Sequence, residues 1–203
     1  FQGKPTDTPV WEKNGWTGDA NVSTESMAYN FDMRLFLSKF LNDMEDTQTE
    51  TAIGNIAPSA DWSIENTPVW NGIYFLGTEQ LYNQFGMKSF VEEQYDAMRK
   101  MALVDIKTIQ NNGWVWFDTQ MGDWVSPYGG TDPNAPGIAM SPEGSAICGT
   151  GYVYQILKTM THMAEVLGKE EDAAEYRAAM EQIYTAFNEK FFDEEKQIYD
   201  TNY

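Results

Sequence analysis

The chain has 203 residues, 42% of them hydrophobic and 14% aromatic, the composition of a globular domain with a real core. Thirteen basic residues face 31 acidic ones, a formal charge of −18; that field repels phosphate backbones and anionic lipid surfaces, so neither nucleic acid nor a membrane is expected as a partner. Cys148 and His162 are the only residues of their types, which excludes an internal disulfide, a cysteine-rich metal site and histidine-based triads or zinc sites. Acid–base chemistry therefore falls to carboxylates, and no metal or other cofactor is expected.

The first segment, Asp7 to Ala20, holds three carboxylates (Asp7, Glu12, Asp19) and two indoles (Trp11, Trp16). Pro9, Gly15 and Gly18 make it an ordered loop leading into a helix. Apolar residues at Ala28, Phe31, Leu35, Phe36, Phe40, Leu41 and Met44 then predict a helix over 21–44, with Ser23 or Thr24 as its N-cap. Residues 45–68 form a long polar connection with Pro58, Trp62 and Pro68, a length that usually signals a loop with a task. Helices follow over 69–85, stopped by Gly86, and over 88–111, closed by Asn112-Gly113. Residues 114–149 are again irregular and rich in Trp, Gly and Pro. The last helices run over 151–167, stopped by Gly168, and 169–191.

Short glycine turns inside helix pairs and long aromatic loops between them predict an all-α fold, an α/α toroid of repeated hairpins whose loops gather at one end. An ordinary helical bundle is the alternative. No run of about 18 apolar residues spans a membrane.

Three loops, 7–19, 62–70 and 114–124, each join carboxylates to tryptophans. Sugar rings lay their C–H faces on indoles, and carboxylates accept their hydroxyls. Glycoside hydrolysis needs two carboxyl groups, one of them protonated. Glu12 is the best placed proton donor: Asp7 and Asp19 flank it, and like charges converging on one carboxyl group favour its neutral form. The competing reading is an acidic turn whose tryptophans plug the core, with Glu12 in a surface ion pair with Lys13 or another cation.

The run Asp7-x-Pro9-x-x-Glu12-x-x-Gly15-Trp16-Thr17-Gly18-Asp19-Ala20 resembles the signature of the bacterial α-L-rhamnosidases, glycoside hydrolase family 78. Shorter pieces agree in order: Lys39 to Met44, Ala57-Pro58, Pro68-Val69-Trp70, Gly122-Asp123-Trp124, Tyr152-x-Tyr154, and Ala164 to Ala173. The resemblance implies an (α/α)6 barrel, of which this chain is about the N-terminal half. It implies an inverting hydrolase of terminal α-L-rhamnosides with Glu12 as general acid. It also makes Asp7, Asp19, Trp16, Trp70, Asp123 and Trp124 sugar contacts, with rhamnose-containing glycans or glycosides as the carbohydrate partner.

The general base is expected downstream of Tyr203, so the rest of the same polypeptide would complete the barrel and the 203 residues alone would be inactive. Two positions depart from the family pattern: Trp11 replaces a basic residue just before the acid, and Gly72 replaces an acidic residue two after Trp70. A periplasmic or secreted location is expected ahead of a cytoplasmic one. Another (α/α)6 glycosidase and a non-catalytic sugar-binding relative stay open as alternatives.

Overall fold

Glycines in the left-handed region end the long helices and let the next one fold back. The computed structural model describes residues 3–58, 63–117 and 145–199. Its helices are α1 (Thr17–Asn30), α2 (Arg34–Glu45), α3 (Pro68–Asn71), α4 (Ile73–Phe85), α5 (Lys88–Asn111), α6 (Ser145–Val166) and α7 (Glu170–Phe191). A two-residue hairpin, β1 (Phe192–Asp193) with β2 (Ile198–Tyr199), pairs antiparallel at the end. Gly86 (φ 69°) turns α4 into α5, and Gly168 (φ 70°) turns α6 into α7, a conformation that glycine adopts without Cβ strain. Each pair packs as a hairpin, and α4 also contacts α1, α2 and α6.

The core lies between these helices and is built from their apolar stripes. Leu37, Phe40, Leu41 and Met44 of α2 meet Ile73, Phe75 and Leu81 of α4, Tyr95 and Met98 of α5, and Ile156 and Met160 of α6. A satisfied polar chain runs through it. Tyr74 Oη donates to Gln94 Oε1 (2.9 Å), and Gln94 Nε2 donates to Asn42 Oδ1 and Glu45 Oε2 (both 2.9 Å), tying α2, α4 and α5 together. At the outer end, Asp172 of α7 accepts from Tyr95 Oη (2.8 Å) and Arg99 Nε (3.0 Å) of α5. Desolvation pushes this carboxyl up most, but the two hydrogen bonds and the charges of Arg99 and Lys169 together outweigh it and hold Asp172 below the ordinary range. His162 sits 2.6 Å by Nδ1 from Glu79 Oε1, a link between α6 and α4.

The single helix expected over 21–44 is two. α1 starts earlier, at Thr17, with Trp16 at the N-cap position. Ser23 and Thr24, expected as caps, lie inside it and donate back to Asp19 O and Ala20 O. The break comes at Phe31, which is extended (φ −137°, ψ 154°). Asp32 accepts from Arg34 N (3.2 Å) and Arg34 Nε (2.9 Å), and a short acidic side chain bonding locally competes with helix continuation. Phe31 and Leu35, read as stripe members, are exposed in consequence. The helix expected over 69–85 is likewise divided, at Gly72. The terminal hairpin escapes a periodicity reading because each strand is two residues long.

Asp105 of α5 is buried and accepts from Asn66 Nδ2 at 2.7 Å. Burial pushes its carboxyl up to about 7, against the opposing pull of that hydrogen bond. In the unfolded chain the group ionises near the ordinary value of about 3.9. Between those two values the folded state holds a proton that the unfolded state has released, so stability falls as pH rises through the window. Asp105→Asn removes the titration and keeps an acceptor for Asn66. Its stability relative to wild type should grow from pH 5 to pH 8 by about 2.6 kcal/mol, read from urea unfolding at the two pH values.

Candidate active site

The opening loop is clamped at its base by two hydrogen bonds between Asp7 and Asn14. Asp7 N donates to Asn14 O (3.0 Å), and Asn14 N donates to Asp7 Oδ1 (2.8 Å). Lys13, at the tip, takes φ 56°. The loop then docks on residues 54–57. Ala57 N donates to Gly15 O (3.0 Å), Trp16 bridges Ile56, and Thr17 donates to Asn55 O through both N (2.9 Å) and Oγ1 (3.0 Å). Gly15 is required here for space: a Cβ would stand 1.9 Å from Ala57 O.

The receiving strip is itself held by buried amides. Asn71 Nδ2 reaches Ile53 O (3.2 Å), Gly54 O (3.3 Å) and Asn55 Oδ1 (2.9 Å), while its Oδ1 accepts from Thr67 N (2.7 Å). Asn55 Nδ2 donates to Ser63 Oγ (3.2 Å) and Thr67 Oγ1 (3.3 Å). A fully satisfied buried network fixes one arrangement of backbone, and here it fixes the seat of the loop.

On that seat the carboxylates gather at the N-terminus of α1. Glu12 is exposed, and its Oε2 accepts from Trp16 Nε1 (2.9 Å) and Asn14 Nδ2 (3.3 Å). No ion pair joins Glu12 to Lys13 or to any other cation among the described residues, so the surface-bridge reading has no support. Asp19 lies in the first turn of α1, where the helix dipole favours a negative charge. Its carboxyl is nonetheless raised above the ordinary range. Desolvation raises it most; a backbone hydrogen bond works the other way; the charges of Asp7 and Glu12 raise it further. The three acids therefore share one field.

The tryptophans divide. Trp11 is 83% exposed beside Glu12. Trp16 is half-buried, with its N–H spent on Glu12, so any sugar contact it makes is through the ring. Trp70 is 7% exposed and lies across α1, where a Cβ on Gly18 would come 2.6 Å from its Nε1. Asn21 Nδ2, donating to Val69 O (3.0 Å), holds α3 in the same place. At Gly72 a Cβ would meet Pro68 O at 2.8 Å and the Tyr152 ring at 3.1 Å. The space that an acidic side chain would need there is taken by Tyr152 of α6. Asp123 and Trp124, like Trp62, lie outside the described residues. Asn14, Asn55 and Asn71 were not singled out from the sequence; the one hint was that each stands beside a glycine or a tryptophan.

The profile of the bacterial alpha-L-rhamnosidase 6 hairpin glycosidase domain matches residues 1–203. The chain belongs to this family. An alpha-L-rhamnosidase of Formosa agariphila is 27% identical over 93% of the chain, which spans 20% of that protein. The solved alpha-L-rhamnosidase of Dictyoglumus thermophilum superposes with a TM-score of 0.83 at 31% identity, over 96% of this chain and 21% of that one. The Streptomyces avermitilis alpha-L-rhamnosidase complexed with L-rhamnose gives 0.75 at 26% identity, over 96% and 18%. The chain thus spans about a fifth of the length of these rhamnosidases. Its α4–α5 and α6–α7 pairs are the helical hairpins for which the family's domain is described.

Proposed function

We propose that the full-length protein hydrolyses terminal α-L-rhamnosides with inversion, and that this chain supplies the proton donor and most of the grip on the sugar. Glu12 protonates the glycosidic oxygen. Asp7 and Asp19 accept hydroxyls of the rhamnose ring, with Trp16, Trp70, Asp123 and Trp124 as further contacts. The observation that carries this reading is the presentation of Glu12: exposed, unpaired with Lys13, held by one oxygen, and set beside two more acids on a rigid seat.

Inversion requires a second carboxylate about 6.5–9.5 Å away to activate water, and we place it in the part of the polypeptide beyond this chain. Val22 and Tyr29 on α1, Phe31 just after it and Leu35 at the start of α2, each at least 68% exposed, support a continuation of the barrel against these segments.

The test is a panel of activated glycosides given to the full-length protein. Hydrolysis of 4-nitrophenyl α-L-rhamnoside well above the other sugars is the expected result. A protein idle on rhamnosides but active on another glycoside would overturn the substrate; one that binds L-rhamnose by calorimetry and releases no product would overturn the enzyme.

A further inference from the structure

We infer that Asn14 and Trp16 are positioning residues for the acid, holding the transferable proton of Glu12 on Oε1. The inference rests on the assignment of Glu12 as proton donor. Both N–H groups converge on one oxygen, Oε2, at 3.3 Å from Asn14 Nδ2 and 2.9 Å from Trp16 Nε1. A protonated carboxyl group has one oxygen that carries hydrogen and one that only accepts. An indole N–H donates and cannot accept, so a hydrogen on Oε2 would point at the hydrogen on Trp16. The proton is therefore confined to Oε1, which has no hydrogen-bond partner among the described residues.

The same two donors serve the step itself. As the bond between the anomeric carbon and the glycosidic oxygen breaks, its electron pair stays on that oxygen. The oxygen takes the proton from Oε1, and the aglycone leaves as a neutral alcohol. Water adds to the anomeric carbon and gives its own proton to the base. Glu12 is left as a carboxylate, and Oε2 already faces two N–H groups that strengthen as its charge develops. Geometry keeps both donors in place. Asn14 is fixed by its backbone bonds with Asp7, and Trp16 by its bridge to Ile56. Removing the Asn14 side chain leaves the Asp7 clamp intact, because that clamp uses only the Asn14 backbone.

A leaving group that departs without protonation does not need this device. The readout is the ratio of kcat/KM for 2,4-dinitrophenyl α-L-rhamnoside over methyl α-L-rhamnoside, measured in the full-length protein. Asn14→Ala and Trp16→Phe, which keeps a ring but no N–H, should each raise that ratio about 10-fold or more, because a positioned proton transfer contributes about 10²–10⁴-fold in all. Glu12→Gln should raise it further. Thermal unfolding of each variant checks folding, and a general loss of structure lowers both rates together and leaves the ratio alone.

An unchanged ratio in both variants while Glu12→Gln shifts it would overturn the positioning role and leave the acid standing. An unchanged ratio in Glu12→Gln itself would overturn the acid assignment, and the positioning role with it.

Discussion

Glu12→Gln should lower kcat/KM of the full-length protein on an unactivated α-L-rhamnoside by about 10³-fold, within the range of about 10²–10⁴ that a positioned general acid contributes. The substitution keeps the length and polarity of the side chain, and Gln Oε1 can still accept from Trp16 Nε1 and Asn14 Nδ2, whose present partner is Glu12 Oε2. What it removes is the proton. Substrate binding should change little, because Asp7 and Asp19 remain. The loss therefore falls on kcat and not on KM, the pattern of an interaction made only in the transition state. Steady-state kinetics on wild type and variant read it directly. Undiminished turnover in the variant would move the acid elsewhere.

Gly15→Ala should be nearly as damaging, for a different reason. The new Cβ would stand 1.9 Å from Ala57 O, a backbone atom in a strip pinned by Asn55 and Asn71. Neither side can yield easily, so the hydrogen bond from Ala57 N to Gly15 O is strained or lost. Overpacking and the lost bond together cost about 2–4 kcal/mol. A displacement of about 1 Å at a reacting group can cost about 10²-fold, and Gly15 sits between Glu12 and Trp16. Urea unfolding and kcat/KM should therefore both fall. Gly3→Ala is the control: a Cβ there meets nothing within 4 Å. A fully active Gly15→Ala protein would mean that the docking of the loop does not set the acid.

Much of this arrangement was legible in the residues. The stripe from Val91 to Ile109 marked the limits of α5 because its period is unbroken and Asn112-Gly113 follows it. Gly86 and Gly168 marked two hairpin turns because no other residue type takes their backbone conformation as cheaply. The break at Phe31 was not legible. Its apolar spacing continues through the turn, and only the local bonding of Asp32 shows that the helix has stopped.

In the site, Glu12, Asp7 and Asp19 stood out by type and spacing, and the shared field at Asp19 is consistent with their convergence. The part played by Asp7 in closing the loop on Asn14 was hidden, since a backbone contact leaves no mark on composition. The same is true of the seat built by Asn55 and Asn71: isolated asparagines in a polar loop look like solvent-facing turns until their partners are known. Trp70 shows the converse limit. Its motif marked the residue, but only the structure shows that its indole packs against Gly18, a contact that depends on two helices meeting.

In the mechanism we propose, Glu12 is the acid, this chain grips the sugar, and a distant carboxylate activates water with inversion. That inversion is tested most directly by proton NMR of the first sugar released from an α-L-rhamnoside, before mutarotation scrambles it. Attack by water activated from a distance inverts the anomeric carbon, so β-L-rhamnose is the expected first product. First-formed α-L-rhamnose would mean retention, with a carboxylate about 5–5.5 Å from Glu12 acting as nucleophile, and would contradict the proposed inverting mechanism.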